Sequence, residues 1–290
     1  MSQVCTAGVD TGFVALGPLK SAVLGVVQGI TELMPISSTA HMRIVPAVLG
    51  WRDPGSAYSA AMQLAALAAV LTYFRADVAQ LATRSTSALT RGDFSDRNLR
   101  LSLWILLATI PIVVAGALLS KLLNTCASPL RGVAVIGWAC LGMAALLALA
   151  EIFARHWRRL ENVSLTDALV VGLAQAGALI PGVSRSGSTL TAALALGFKR
   201  EEAARFSFLL GIPAIAGAGL VEIWKLHKAH LGADGWEVLI VGLVVASISA
   251  FVAIWGLMRI MERFSAWPFV IYRAALGVVL LAGAAMGKIS

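Results

Sequence analysis

Residues 28–41 read Gln28-Gly-Ile-Thr-Glu32-Leu-Met-Pro35-Ile-Ser37-Ser38-Thr39-Ala40-His41, a polar stretch set inside an otherwise apolar run. Glu and His are expensive in a bilayer interior, and there they face a partner, a cavity or a substrate. About half a chain later a second stretch, Pro181-Gly-Val-Ser184-Arg185-Ser186-Gly-Ser188-Thr189, interrupts a similarly apolar run. Two such interruptions in one chain read as two halves of one site.

Working outward, the composition sets the solvent. The chain has 290 residues, 59% hydrophobic and only 13% charged, with a mean hydropathy of +0.84. A soluble domain carries roughly 25% charged residues, so this is an integral membrane protein. Its apolar segments are long, rich in Ala, Leu and Val, and do not alternate with period two, which favours helices over a barrel. The expected fold class is therefore all-α polytopic, in a single membrane domain. The net charge of +8 does not point to nucleic acid, because the basic residues lie between apolar segments, where they orient the chain and touch anionic lipid. Cys5, Cys126 and Cys140 are odd in number and scattered, with no metal-ligand spacing. Met1 to Pro18 contain Asp10 and no Lys or Arg, so the basic start of a signal peptide is missing.

Six segments have the ~20 residues a span requires: about 58–74, 101–119, 132–153, 204–223, 237–258 and 268–287. Two more, about 20–50 and 166–198, are broken by Pro35 and by Pro181-Gly182, each break followed by Ser or Thr suited to a helix N-cap. These two are expected to be re-entrant helix pairs that enter the membrane, turn, and leave on the same side. Irregular backbone at that depth needs cover from protein or a wet cavity.

The halves, about 18–153 and 165–287, resemble each other. Gln28 precedes Ser37 by nine residues, as Gln175 precedes Ser184, and Ala57-Tyr-Ser59 parallels Arg205-Phe-Ser207, at an offset of about 147. Three spans lie between the copies, so the second copy is expected to be inverted in the membrane, a recurrent architecture. Thirteen Lys and Arg residues, from Arg75 to Arg263, then fall on one side and seven, among them Lys20, Lys121, Arg131 and Lys288, on the other. The positive-inside rule makes the first side cytoplasmic and turns the mouth of the site outward.

On a helix Gln28 and Glu32 share one face, and past Pro35 the hydroxyls of Ser37 and Ser38 lie one turn before His41. Arg185 and Thr189 are likewise four apart, as are Ser184 and Ser188. Both half-helices thus begin in Ser-rich turns whose free N–H groups hold an anion. The planar fork of Arg185 suits phosphate oxygens. A carboxylate, a hydroxyl, an imidazole and a guanidinium are the parts of a phosphoryl-transfer site. Each has a plainer reading: Glu32 neutral on Gln28, Arg185 a structural bridge to Glu32, His41 a satisfied interior residue, Gln63 and Gln175 as helix glue. Arg273, in Ile271-Tyr-Arg273, is either a second phosphate clamp or a snorkelling interfacial Arg.

These residues resemble the undecaprenyl pyrophosphate phosphatases, the bacitracin-resistance membrane phosphatases of bacteria. The resemblance rests on Gln28-x-x-x-Glu32 with Leu-Met-Pro-Ile-Ser-Ser-Thr-Ala-His41, on Pro181-Gly-Val-Ser-Arg-Ser-Gly-Ser-Thr189, and on Ser207-Phe-Leu-Leu, Ile212-Pro and Pro268-Phe-Val-Ile-Tyr-Arg273. It runs from about residue 18 to the C-terminus. It implies hydrolysis of undecaprenyl pyrophosphate to undecaprenyl phosphate and inorganic phosphate, which recycles the lipid carrier of cell-wall synthesis at the bacterial inner membrane. It also implies a divalent cation, Mg²⁺ or Ca²⁺, held by Glu32. The catalytic set it implies is Glu32, Ser38, His41 and Arg185, with Gln28, Ser37, Ser184, Ser186, Thr189 and Arg273 on the substrate. Whether Ser38 attacks or orients a water stays open. The chain departs from the family at Gln28, where Glu is frequent, so Glu32 must carry more of the metal's charge. The rival reading is a polyprenyl-phosphate flippase built on the same cage. The partners implied are the polyprenyl pyrophosphate lipid and the bilayer. A homodimer is compatible with the sequence, which sets no oligomeric state.

Overall fold

A computed structural model describes residues 5, 6, 9–119, 130 and 132–287. Lys121, Cys126, Arg131 and Lys288 lie outside them. Two two-residue strands, β1 (Cys5–Thr6) and β2 (Val9–Asp10), pair antiparallel, Arg158 and Phe198 form an isolated parallel bridge, and the other regular elements among the described residues are helical.

The first broken segment becomes α1 (Gly17–Leu33) and α2 (Ser38–Val48); the second becomes α7 (Leu165–Gly177) and α8 (Arg185–Ala195). Between them run α3 (Gly55–Tyr73), α4 (Arg75–Arg91), α5 (Arg97–Leu118) and α6 (Val133–Phe153), and after them α9 (Arg200–Lys228), α10 (Ala233–Arg263) and α11 (Trp267–Ala285). Among the described residues seven helices are long and apolar enough to cross a membrane: the six expected and α1, which a 3₁₀ turn at Gly12–Leu16 lengthens into one 22-residue apolar stretch, Gly12–Leu33. The protein is a multi-pass membrane protein.

Two close contacts organise the bundle. α1 packs along α10, where a Cβ on Gly25 would come within 2.7 Å of the Gly242 carbonyl; α7 packs along α5, where a Cβ on Gly172 would overlap the backbone of Ala108. Gly25 and Gly172 are 147 positions apart. Glycine is required at both because only a missing side chain lets the helix backbones approach this closely, which is how membrane helices gain van der Waals contact. α3 crosses α9 at the centre, and α6 lies along α11. Each tip is therefore held between long helices.

The connector from α6 to α7 is fixed by Arg158, which donates to Asp167 Oδ1 at 2.8 Å and Oδ2 at 2.5 Å, to the Leu196 carbonyl at 3.0 Å and to the Asn162 carbonyl at 3.0 Å. Asp167 also completes a capping box with Ser164 at the start of α7. Burial works against its ionisation, yet the hydrogen bonds from Arg158 and Ser164 outweigh it and hold the carboxyl below its ordinary pKa. The same end gathers Arg205 with Asp77, Arg200 with Glu151 and Arg97 with Glu161. Arg97, Arg100 and Arg205, three of the basic residues read from the sequence as one side, line a cavity of ≈ 530 Å³.

Candidate active site

The site begins with a backbone device that occurs twice. Ser37 (φ 73°, ψ 92°) and Ser184 (φ 70°, ψ 122°) each precede an 11-residue helix, and each accepts a hydrogen bond on its Oγ from the amide three residues on, Ala40 at 3.4 Å and Gly187 at 3.2 Å. A non-glycine residue held in such a sparsely populated region costs about 1–3 kcal/mol. The surroundings impose it. Arg273 is buried (1% exposed); its Nη1 donates to the Pro35 carbonyl at 3.0 Å, and its Nη2 to the carbonyls of Gly182 (2.8 Å) and Val183 (2.9 Å). One guanidinium therefore holds the chain just before both strained serines. Its depth rules out snorkelling, and its terminal nitrogens are turned onto the tips.

Glu32, 5% exposed, lies where the tips meet. Gln28 Nε2 donates to its Oε2 at 3.0 Å; the amide nitrogen must be the donor, because the carboxylate only accepts. Ser38 Oγ donates to the same oxygen at 2.6 Å. Arg185 Nη2 donates to Oε1 at 3.0 Å from a position 153 residues away, while its Nη1 donates to the Gly211 carbonyl at 3.3 Å. Buried charges persist when paired and hydrogen-bonded in this way. Gln28 Oε1 is left buried with no hydrogen-bond partner among the described residues.

The remaining expected residues fall around this core. Ser186 Oγ points at the carbonyls of Glu32 and Met34, each 3.1 Å away, and so joins the second tip to the first. Thr189 Oγ1 donates to the Arg185 carbonyl at 2.8 Å, which makes Ser207 the donor in their 2.5 Å contact. Ser37 and Ser184 serve as the two caps. His41 stands apart from Glu32: its Nδ1 lies 2.8 Å from the Ser37 carbonyl and its Nε2 2.6 Å from Tyr272 Oη. Gln28, Glu32, Ser38 and Arg185 are thus brought into direct contact, and Ser186 joins them through backbone. His41 and Thr189 lie within α2 and α8, and Arg273 reaches the start of both tips from α11.

Sequence reasoning did not single out Tyr272, although it adjoins Arg273 in the quoted Ile-Tyr-Arg run; the signal was there in that adjacency. It also passed over Gly211, whose missing side chain makes room for the Arg185 guanidinium, and Gly187, where a Cβ would come within 2.6 Å of Arg273 Nη1.

Two spaces border the tips, neither of them lined by Gln28, Glu32, Ser38 or Arg185. A cavity of ≈ 280 Å³ is lined by Thr39, Arg43, Asp53, Ser59, Gln63 and Pro181, with Arg43 paired to Asp53. An apolar cleft of ≈ 450 Å³ runs between α1, α2 and α11, with Val26, Ile30, Met34 and Phe269 along it and His41 and Tyr272 at its polar edge. The cleft can take an apolar chain beside the tips.

A model of the family described as bacitracin resistance protein BacA matches residues 21–279. The protein Undecaprenyl-diphosphatase 2 of Mesorhizobium japonicum (strain LMG 29417 / CECT 9101 / MAFF 303099) is 75% identical over 260 residues, which covers 90% of this chain and 98% of that protein. Undecaprenyl-diphosphatase of Trichormus variabilis (strain ATCC 29413 / PCC 7937) is 47% identical over 281 residues, 96% of this chain and 88% of that one. The protein of the same name from Gloeobacter violaceus (strain ATCC 29082 / PCC 7421) is 48% identical over 272 residues, 94% and 93% respectively.

Proposed function

The chain belongs to the bacitracin resistance protein BacA family, and from that premise we propose its activity: it is an integral-membrane hydrolase that converts undecaprenyl pyrophosphate to undecaprenyl phosphate and inorganic phosphate. The observation that carries this reading is the Glu32 carboxylate, which gathers Gln28, Ser38 and Arg185 from both interrupted helices. The relatives' names favour the hydrolase over the flippase.

The groups that donate to Glu32 are a neutral amide, a hydroxyl and a guanidinium. Among the described residues no three His, Cys, Asp or Glu side chains converge as a metal cage. One carboxylate with an unpartnered amide oxygen fits a hard divalent cation shared with substrate phosphates, as Mg²⁺ is usually held. Glu32 and Gln28 Oε1 would hold it, and it would neutralise charge on the pyrophosphate.

Ser38 carries the attack in this reading, its proton already directed at Glu32 Oε2. Its Oγ bonds the terminal phosphorus as the anhydride P–O bond breaks and undecaprenyl phosphate leaves; water then releases phosphate from the serine. Arg185, with Ser184, Ser186 and Thr189 shaping its turn, faces the charge that spreads over the transferring phosphoryl oxygens. His41 moves the proton, and the prenyl chain lies in the apolar cleft.

We place the protein in the bacterial inner membrane, with the Arg-rich end cytoplasmic and the site opening outward; the clustering of Arg97, Arg200 and Arg205 at one end supports this. The halves are inverted copies. The pairs Gly25 and Gly172, Gln28 and Gln175, and Ser37 and Ser184 all share one offset, and α1 on α10 matches α7 on α5.

The test is phosphate release from undecaprenyl pyrophosphate by purified protein in detergent, with and without Mg²⁺ or Ca²⁺, beside Glu32→Ala. Metal-dependent release that the variant loses is expected. Release by neither protein would overturn the reading, since a hydrolase needs no compartments.

A further inference from the structure

His41 is held between two acceptor-capable groups, and only one proton arrangement satisfies both. Its Nδ1 lies 2.8 Å from the Ser37 carbonyl, which can only accept. Nδ1 therefore carries the proton in the neutral ring, and Nε2 presents the lone pair. Tyr272 Oη, 2.6 Å from Nε2, must then donate to it. The two rings lie nearly parallel, with planes 9° apart and centroids 5.6 Å apart.

The frame behind this contact is rigid. The Ser37 carbonyl belongs to the strained residue that opens α2, and the next residue of α11, Arg273, fixes the Pro35 carbonyl just before it. Successive positions of one helix thus address one tip twice, through its backbone and through its imidazole. The titratable and charged groups that face His41 are Tyr272 and Arg273 of α11; α1 offers Thr31 and aliphatic side chains along the cleft, and α2 the Ser37 carbonyl. The carboxylate nearest in sequence, Glu32, is already engaged by Gln28, Ser38 and Arg185. The only basic lone pair of His41 is therefore covered by a tyrosine that is itself half exposed to the cleft.

We propose that Tyr272 is a positioning residue for this hydrolase: with the Nδ1–H tautomer of His41 set by the Ser37 carbonyl, its hydroxyl donates to Nε2, holds the ring in place and links Nε2 to the cleft, so any proton His41 takes up at Nε2 is shared with the Tyr272 oxygen. The inference rests on the phosphatase reading and adds a residue to it. Tyr272 acts through His41 and not on the substrate, so its removal should alter turnover and its pH dependence and leave substrate affinity in place.

The experiment uses the full-length purified protein in detergent, with undecaprenyl pyrophosphate as substrate, and compares wild type, Tyr272→Phe, His41→Ala and the double variant across pH. Tyr272→Phe keeps the ring and removes only the hydroxyl. Its expected kcat is lower by roughly tenfold with KM nearly unchanged, and the pH limb belonging to the imidazole moves. The double variant should be no slower than His41→Ala alone. Equal kcat and pH profile in wild type and Tyr272→Phe, or losses that multiply in the double variant, would overturn the inference. Side-chain ¹⁵N spectra of the histidines give a readout without turnover: an Nε2 of His41 that accepts a hydrogen bond in the wild type, and an Nε2 resonance that moves in Tyr272→Phe while Nδ1 keeps its proton on the Ser37 carbonyl. An Nε2 resonance that is the same in both would overturn it as well. Failure of the phosphatase reading has a separate mark, a wild type that releases no phosphate at all.

Discussion

Ser37 and Ser184, 147 positions apart, hold the same left-handed backbone conformation and cap their helices through the same atom. Arg273 braces the carbonyls just before both. Arg273→Met should therefore fail in stability before it fails in chemistry. Two buried carbonyls, Pro35 and Gly182, and the half-buried one of Val183 would lose their donor, and each buried loss costs roughly 1–3 kcal/mol. A fall in the thermal midpoint in detergent, with KM unchanged in whatever remains folded, is expected. A raised KM at an unchanged midpoint would show instead that the guanidinium serves the phosphate.

Arg185 should fail in chemistry as well as in stability. Arg185→Ala leaves Glu32 hydrogen-bonded to Gln28 and Ser38 but removes the cation paired with it, and breaking a buried pair costs roughly 3–5 kcal/mol. Loss of a donor aimed at developing charge commonly costs about 10²–10³ in kcat. The check is kcat per folded protein beside a lowered melting curve. Normal turnover by well-folded Arg185→Ala would remove this residue from the mechanism.

Gly211→Ala tests the placement of that guanidinium without altering it. The new methyl would overlap Arg185 Nη1, and small misplacements of catalytic groups lower rates by roughly tenfold to a hundredfold. Gly256→Ala is the control, since a Cβ there meets nothing within 4 Å; it should be neutral or slightly stabilising, by up to about 1 kcal/mol. Phosphate release and thermal midpoints on the two variants separate steric displacement from a general effect of filling glycines.

Asp167 sets a pH dependence at the far end of α7. Its folded pKa is depressed, so its contribution is complete above the unfolded value of about 3.9 and is lost as the pH falls through the lower folded value. Asp167→Asn should cost about 2 kcal/mol at neutral pH, where it breaks the charged pair with Arg158. Chemical denaturation of the two proteins should show that gap constant from pH 7 to 5 and closing below about pH 4.

The spans were legible because the bilayer dictates a length. The apolar runs at 101–119 and 132–153 return as Arg97–Leu118 and Val133–Phe153. α9 and α10 run beyond their apolar cores because polar turns continue the helix outside the hydrocarbon. α4 was invisible: it is rich in Thr, Ser and Arg, and its Thr83 and Thr86 hydroxyls return to carbonyls of their own helix. The meeting of the two tips was legible from their composition. Which groups meet was less so, because a link of 153 residues depends on how helices register. That is why Glu32 with Arg185 was readable as one option among others, and Tyr272 with His41 was not readable at all.

The shared offset has one more consequence. Position 38 heads the first half-helix with a hydroxyl, and position 185 heads the second with a guanidinium; Glu32 has Leu179 as its counterpart. The two tips open alike, but the chemistry mounted on them is unequal. On the proposed function, a diphosphate with a lipid at one end and free oxygens at the other is then expected to seat in one direction, with its terminal phosphorus presented to Ser38. Likeness of the tips would choose the place, and inequality of the two headings the sense.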